Sequence, residues 1–578
     1  MISAALVAAG VGLVPGIAQA APGAGPDATL GTGGATYSSP AERTVVTKGA
    51  QGAQGAQGAQ GAQGAQGAQG AAPGAKGAEG AQGAQGTQGK QGAQDSSTSI
   101  YLTAHTDGAR SIQLRTHVID FDAPALDVTV SWGDGTTDTY SLPAGGASDA
   151  RDLKHKYAVL GTYDVRVTAK NAADGTEAVN ELKFTTRGAE FTAHEPTRLL
   201  DTRTGTGAAK AQVGPRSSVA LKVAGAAKVP AGATAVALNV TVTNATGAGH
   251  VSVQPTKDRA EGAETSNVNF AAGQTVPNLV IEAIGEDGYI HLFNGGWEPV
   301  DLIADVTGYF APTHANGWGA LNPTRVVDTR EGLGSAKGQV PGQGTFGVEI
   351  AGRAGVPKGA TAVAVNLTAT NPRSAGHLTA YPSGKAAPAT SNVNFTAGQT
   401  VANSAVVPIG PDGKINVRNG GWDPADVVVD VVGYYTPESR SALVAHGIPY
   451  RLLDTRKDSW GGRKAGPLKA RTHFPMRLEG DTTTPDVDGW VLNTTVTDTR
   501  GNGFLSVTPD PNFWSDYANG TAVTPQRPVS SVLNWTKGAT VANVAQTPGG
   551  KGGMIDLWNQ GWEDTHLLVD LLAYYQTD

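Results

Sequence analysis

The octapeptide Pro196-Thr197-Arg198-Leu199-Leu200-Asp201-Thr202-Arg203 returns as Pro323-Thr324-Arg325-Val326-Val327-Asp328-Thr329-Arg330 and as Pro449-Tyr450-Arg451-Leu452-Leu453-Asp454-Thr455-Arg456. Each occurrence opens a stretch of about 126 residues that closes on Asp-x-x-x-Tyr, at Asp305–Tyr309, Asp430–Tyr434 and Asp570–Tyr574. Between these marks lie an Asn-centred apolar run (Asn239, Asn366, Asn493) and an Asn-[Gly/Gln]-Gly-Trp turn ending at Trp297, Trp422 and Trp562. A propeller blade or trefoil unit needs only about 40 residues. Each copy is therefore read as a whole domain.

In the first copy eight runs have strand character: 198–202, 218–223, 235–243, 251–254, 266–270, 278–284, 290–293 and 302–306. Gly-, Pro- and Asn-rich turns separate them, and no segment shows helical periodicity. Eight short strands predict a β-sandwich of jelly-roll type. The copies span 188–312, 313–437 and 438–578, and the fold class is all-β, tandem β-sandwiches after a low-complexity stalk.

Upstream, residues 97–187 form a separate β unit with alternating runs at 111–118, 126–132 and 163–168. It carries Trp132-Gly133-Asp134-Gly135, whose Asp-Gly pair marks a tight turn, and a His155-x-Tyr157-x-x-x-Gly161-x-Tyr163-x-Val165 stretch. These motifs resemble the PKD domain, an immunoglobulin-like sandwich. The resemblance implies a core role for Trp132 and Tyr157 and a turn-organising role for Asp134.

Between 49 and 94, glycine falls on every third position fifteen times, with one slip at Gly70-Ala71-Ala72-Pro73-Gly74. Strict period three is the mark of a collagen triple helix, where only glycine fits the axis. Such a stalk implies a homotrimer. Pro73 is the only proline of the run, so little pre-sets the extended conformation, and a flexible spacer is the competing reading. Residues 21–48 read as a disordered linker. Residues 1–20 read as a signal peptide, with an apolar run from Ile2 to Ile17 and an Ala18-Gln19-Ala20 cleavage site, although no basic residue precedes the run.

Composition narrows the function. With 43 Lys+Arg against 50 Asp+Glu the net charge is -7, and no basic stripe exists to displace counterions from a nucleic acid. The absence of cysteine excludes disulfides, thiolate metal sites and cysteine catalysis. No segment after the leader reaches the roughly 20 apolar residues of a membrane span. No Gly-x-Ser-x-Gly elbow, His-Glu-x-x-His helix or phosphate-binding loop occurs. No catalytic residue, metal ligand or cofactor site emerges from these patterns, and the chain is read as a non-enzyme.

Two kinds of residue remain. Arg198, Asp201 and Arg203, with Arg325, Asp328 and Arg330 and with Arg451, Asp454 and Arg456, can form a charge-assisted network. Flanking leucines and valines favour a structural role. The strand asparagines likewise read as satisfied buried amides. The tryptophans of the turns are the ligand-binding candidates, since an exposed indole can stack on a sugar ring; folding back over the sandwich is the competing expectation. A third feature is single-copy. Asn394 and Asn534 are 140 residues apart whereas Asn366 and Asn493 are 127 apart, so the third copy has gained 140 − 127 = 13 residues near 510–528. This insertion contains Phe513, Trp514 and Tyr517, which join the ligand-binding candidates. Asp301, Asp426 and Asp564, shortly before each closing Asp, offer carboxylates for calcium, without a ligand-dense loop to support it.

The three copies resemble a repeat of secreted and cell-wall-associated actinobacterial proteins with an RLLDTR opening and a DVxGYF ending. That resemblance implies an extracellular or cell-wall location and no particular activity. The functional expectation is a binding or spacing module for envelope polysaccharide or surface partners. The alternatives are a purely structural array and the accessory part of a secreted hydrolase.

Overall fold

The computed structural model describes residues 36–38 and 98–577, apart from 107, 121–124, 146, 258–264, 459–463 and 479–486. Residues 1–20, read as a signal peptide, and the Gly-x-y segment lie outside the described residues. Within the stretch read as a linker, Thr36–Ser38 instead forms a strand, paired antiparallel with Ser99–Thr106; Thr and Tyr suit a pleated edge.

Residues 99–185 build a two-sheet sandwich. One sheet runs in the order 36–38, 99–106, 111–120, 147–156, and the other 137–142, 126–131, 162–171, 177–185. Trp132 and Tyr157 are buried in its core, and the Tyr157 hydroxyl donates to the Trp132 carbonyl at 3.0 Å. Asp134 accepts from the Thr136 amide at 3.0 Å and lies 2.8 Å from Nε2 of His155.

Each of the three copies forms two antiparallel four-stranded sheets with the same strand order. In the first copy one sheet orders Val276–Ala283, Ala235–Thr243, Asp301–Ala311 and Glu190–Asp201. The other orders Ser217–Lys222, Tyr289–Asn294, Gly249–Gln254 and Val268–Phe270. All eight expected strands are present. Two are longer than their apolar runs suggest: the first begins at Glu190 and the last ends at Ala311. The extensions carry Phe191 and Phe310, both buried.

These extensions matter because the copies are not beads on a string. Asn239 of the first copy donates to the Ser391 carbonyl of the second at 2.8 Å. Asn366 of the second donates to Ser531 of the third, and Asn493 of the third donates to Ser266 of the first at 2.8 Å. Equivalent residues thus make the same contact from copy to copy, and the series returns to its start. A head-to-tail contact that closes generates a ring. Backbone bridges repeat the circuit: Phe191 with Asn316, the Trp318 amide with the Ser441 carbonyl, and Ala189 with Leu443.

Inside the ring lies a core shared by all three copies. It contains Phe191 and Phe310, Trp318 and Tyr435, Leu443 and Tyr575, with Ala235, Ala237, Ala362 and Ala364 on the small-residue side. Tyr435 and Tyr575 bring their hydroxyls within 2.7 Å, and both donate to Gln546. The sheet containing Ala235–Thr243 is consequently covered on both faces. Val236, Leu238 and Val240 fill the sandwich of their own copy, whereas Ala235 and Ala237 face the ring core. Every residue of that strand is buried, as expected for a strand with two covered faces.

The N-terminal sandwich is docked onto the ring. Arg110, 2% exposed, pairs with the equally buried Glu190 at 2.6 Å. It also donates to the carbonyls of Arg440 and Thr577. The Gly188 amide donates to Ala109 at 2.7 Å.

Candidate functional site

The opening and closing motifs meet. Arg198 grips Asp305 with Nε and Nη2, at 2.9 and 3.2 Å, and reaches Asp201 with Nη1 at 3.1 Å. Arg203 forks onto Asp201 at 2.9 and 2.8 Å. The second copy repeats this with Arg325, Asp430, Asp328 and Arg330, and the third with Arg451, Asp570, Asp454 and Arg456. Hydrogen bonds from the second arginine hold Asp201 and Asp328 below the usual carboxylate range and Asp454 at about 2. Burial pushes Asp305, Asp430 and Asp570 upward against the pull of the first arginine. Both carboxylates of each set are covered and already bonded, so the network joins strands and offers little to a ligand.

The tryptophan turns differ. Trp297, Trp422 and Trp562 are 77%, 84% and 77% exposed, so the indoles do not fold back over the sandwiches. Their turns are nevertheless rigid. Asn294, fully buried, donates to the carbonyls of Val213, Gly214 and Glu298 and accepts from the Gly296 amide. Asn419 and Asn559 repeat this pattern. Beneath the first turn packs His250, against which any Cβ on Gly295 would collide; His377 does the same under Gly420. The third copy exchanges both members, with Phe504 for His and Gln560 for Gly. The exchange is thus one of packing: the histidine ring needs a glycine above it.

Arg216 places its guanidinium 5.7 Å from the Trp297 ring, and Arg471 lies 4.7 Å from Trp562, within cation–π reach. Gln343 stands there in the second copy and donates to Gly420 and Gly421. The turns precede strands that run from this end of each sandwich toward the bridges at 189–191, 316–318 and 441–443. Each indole therefore lies at the end of its own sandwich away from the bridges.

The third-copy insertion folds around Asp510 and Asn512. Tyr517 donates to Asp510 at 2.6 Å, and Asn512 bonds both the amide and the carbonyl of Val523. A short helix, Trp514–Asn519, caps this hub. Phe513 is 49% exposed, whereas Trp514 and Tyr517 are half-buried. Below the hub lies Asp556, whose side chain is fully buried. Burial, reinforced by the neighbouring Asp510, pushes its carboxyl up to about 9. At its far end the insertion braces the Trp562 turn: Arg527 donates to Gln560, and Gln560 donates to Pro528.

The carboxylates considered for calcium are placed otherwise. Asp301 accepts from Thr202 at 2.7 Å and from Asn244 at 2.8 Å, and Asp426 accepts from Thr329 and Asn371. Strand register shows that their third-copy equivalent is His566, not Asp564, because Thr243 faces Asp301, Thr370 faces Asp426 and Thr497 faces His566. Among the described residues no group of three or more His, Asp or Glu is placed to hold a metal ion, and no helix is long and apolar enough to cross a membrane.

No family model and no curated protein sequence matches the chain. Among solved structures, a SusE-like protein aligns at 11% identity over 37% of this chain and 96% of that one, with a TM-score of 0.12. A triple jelly roll structure from the turret assembly of an archaeal virus aligns at 10% identity over 67% and 90%, with a TM-score of 0.14. The structure of Sulfolobus turreted icosahedral virus aligns at 9% identity over 73% and 91%, again at 0.14. Scores this low carry nothing about function.

Proposed function

We propose that the chain is a non-enzymatic, secreted or cell-surface binding and spacing protein whose ring of sandwiches contacts envelope polysaccharide through its tryptophan turns. One observation carries this reading: three indoles, each at least 77% exposed, stand on turns that buried asparagines hold rigid. A rigid, exposed aromatic loses little freedom when a sugar stacks on it. Three such platforms carried by one closed ring favour avidity, since engaging one raises the effective concentration of the others. The PKD-like sandwich and the Gly-x-y segment then serve as spacers, and chain association through that segment would add further platforms.

The test is retention on insoluble polysaccharide of the wild type and of Trp297→Ala/Trp422→Ala/Trp562→Ala. The reading expects loss of retention with an unchanged melting temperature, because the removed side chains are exposed. A purely structural role has the closed ring in its favour, and it expects equal retention of both proteins.

A further inference from the structure

Two residues beyond Trp562 the third copy opens a cavity of about 390 Å³ lined by Pro467, Asp498, Thr499, Arg500, Asp564 and His566. The first two copies show what this place looks like when it is closed. There, a Thr hydroxyl and an Asn amide converge on one carboxylate, Asp301 or Asp426. A glutamine covers them: Gln212 reaches Asp301 at 3.4 Å, and Gln339 reaches Asp426 at 3.5 Å. Pro299 and Pro424 complete the site.

The third copy replaces all four. Gln becomes Pro467, Asn becomes Asp498, Pro becomes Asp564 and Asp becomes His566. The replacements undo the closed network bond by bond. Proline has no amide with which to cover the site. Asp498 keeps the left-handed backbone of its equivalents, with φ of 54° against 55° at Asn244 and 49° at Asn371. It has lost their amide donor, however, and presents a carboxylate. The Thr455 hydroxyl lies 2.9 Å from Nδ1 of His566 and accepts from the Leu567 amide. With the hydroxyl donating to Nδ1, as Thr202 and Thr329 donate to Asp301 and Asp426, the ring keeps Nε2–H as the donor it can offer a ligand. Asp564 is fixed by Lys469 and the Ala470 amide.

We infer that this cavity is a saccharide subsite: with Trp562, two residues before its lining Asp564, as the stacking platform, it takes one uncharged sugar unit of a polysaccharide chain. Carboxylates at Asp498 and Asp564 accept from hydroxyls, while Arg500 and His566 Nε2 donate to them, and such an alternation suits vicinal hydroxyls. The cavity falls in the volume range of small-ligand sites. Its two carboxylates are balanced by Arg500 and Lys469, so neither an anionic nor a cationic sugar is favoured. In this account the first two turns supply stacking alone and the third supplies selectivity. The inference rests on the proposed polysaccharide binding and adds where its specificity resides.

The sequence itself supplies the control variant. Pro467→Gln/Asp498→Asn/Asp564→Pro/His566→Asp writes the first-copy set into the third, a set that two sandwiches of this chain already accommodate. Asp498→Ala, at an exposed position, is a milder second variant. Affinity electrophoresis of the full chain through gels containing dextran, mannan or polygalacturonate reads the effect. The wild type is expected to be retarded by at least one neutral polymer. Either variant should weaken that retardation at least fivefold, as Trp562→Ala does, while Trp297→Ala/Trp422→Ala weakens it less. Unchanged retardation in both cavity variants, or stronger retardation by polygalacturonate, overturns the inference and leaves the proposed function standing. A wild type retarded by none of the gels overturns both.

Discussion

The side-chain amide of Asn493, in the third copy, donates to the backbone carbonyl of Ser266, in the first, at 2.8 Å. This bond links the ends of the triplicated region and makes a ring of what the chain order presents as a row. Asn493 is fully buried, so its loss takes the donor from the half-buried Ser266 carbonyl and opens a gap in the seam. Asn493→Ala is expected to cost about 1–3 kcal/mol, measured by denaturant unfolding. Because the ring core is shared, all three copies should unfold in one transition.

Removing one arginine of the opening motif should cost far more than removing the other. Arg451 pairs with Asp570, which is 1% exposed, whereas Arg456 is itself 43% exposed. Arg451→Ala strands a buried carboxylate and should cost about 3–5 kcal/mol. Arg456→Ala removes a partly solvated pair and should cost about 1 kcal/mol or less. Equal losses in chemical denaturation would contradict this division.

Glu282 lies fully buried in the core of the first copy, at the position of Val407 and Thr547, with Oε2 lacking a partner. Burial raises its pKa well above the ordinary glutamate value. The folded chain therefore keeps a proton that the unfolded chain releases above about pH 4.3, and stability contributed at acid pH is lost as pH rises toward the folded pKa. Glu282→Val should raise the melting temperature at neutral pH and have a smaller effect near pH 4.

Asp556 obeys the same sign. Its folded pKa of about 9 exceeds the unfolded value of about 3.8, so its contribution is full in acid and declines across that interval. Asp556→Asn cannot ionise. The insertion should then resist alkaline loosening that the wild type shows as pH approaches 9, followed through the fluorescence of Trp514 and Trp558. Identical alkaline profiles would show that Asp556 does not govern the hub.

Much of the architecture is legible in the residues. Strand after strand follows its apolar run because pleating sorts side chains at a period of two. The ring escaped that reading, since copies that look alike carry no obvious mark of touching one another. One signal was present: Ala235–Thr243 and Ala362–Thr370 are apolar or small on both alternating sets, which a half-exposed strand would not tolerate. The exposure of Trp297, Trp422 and Trp562 also required the structure, because a Gly-rich turn can aim an indole inward or outward. The third-copy exchange was legible in the spacing: four residues before the closing Asp305, Asp430 and Asp570 stand Asp301, Asp426 and His566. Matching by residue type selects Asp564 instead, six residues before, and hides the exchange for His566.

The account depends most on ring closure, and the absence of native cysteine permits a direct measurement. Ala189 and Leu443 exchange both backbone hydrogen bonds, at 2.9 and 2.8 Å, a pairing that holds Cα atoms about 5.5 Å apart, within the span of a disulfide. Oxidation of Ala189→Cys/Leu443→Cys should give an intramolecular crosslink between the first and third copies, in a monomer whose melting temperature rises. A pair that stays reduced under native conditions, or that links only separate chains, would contradict the ring.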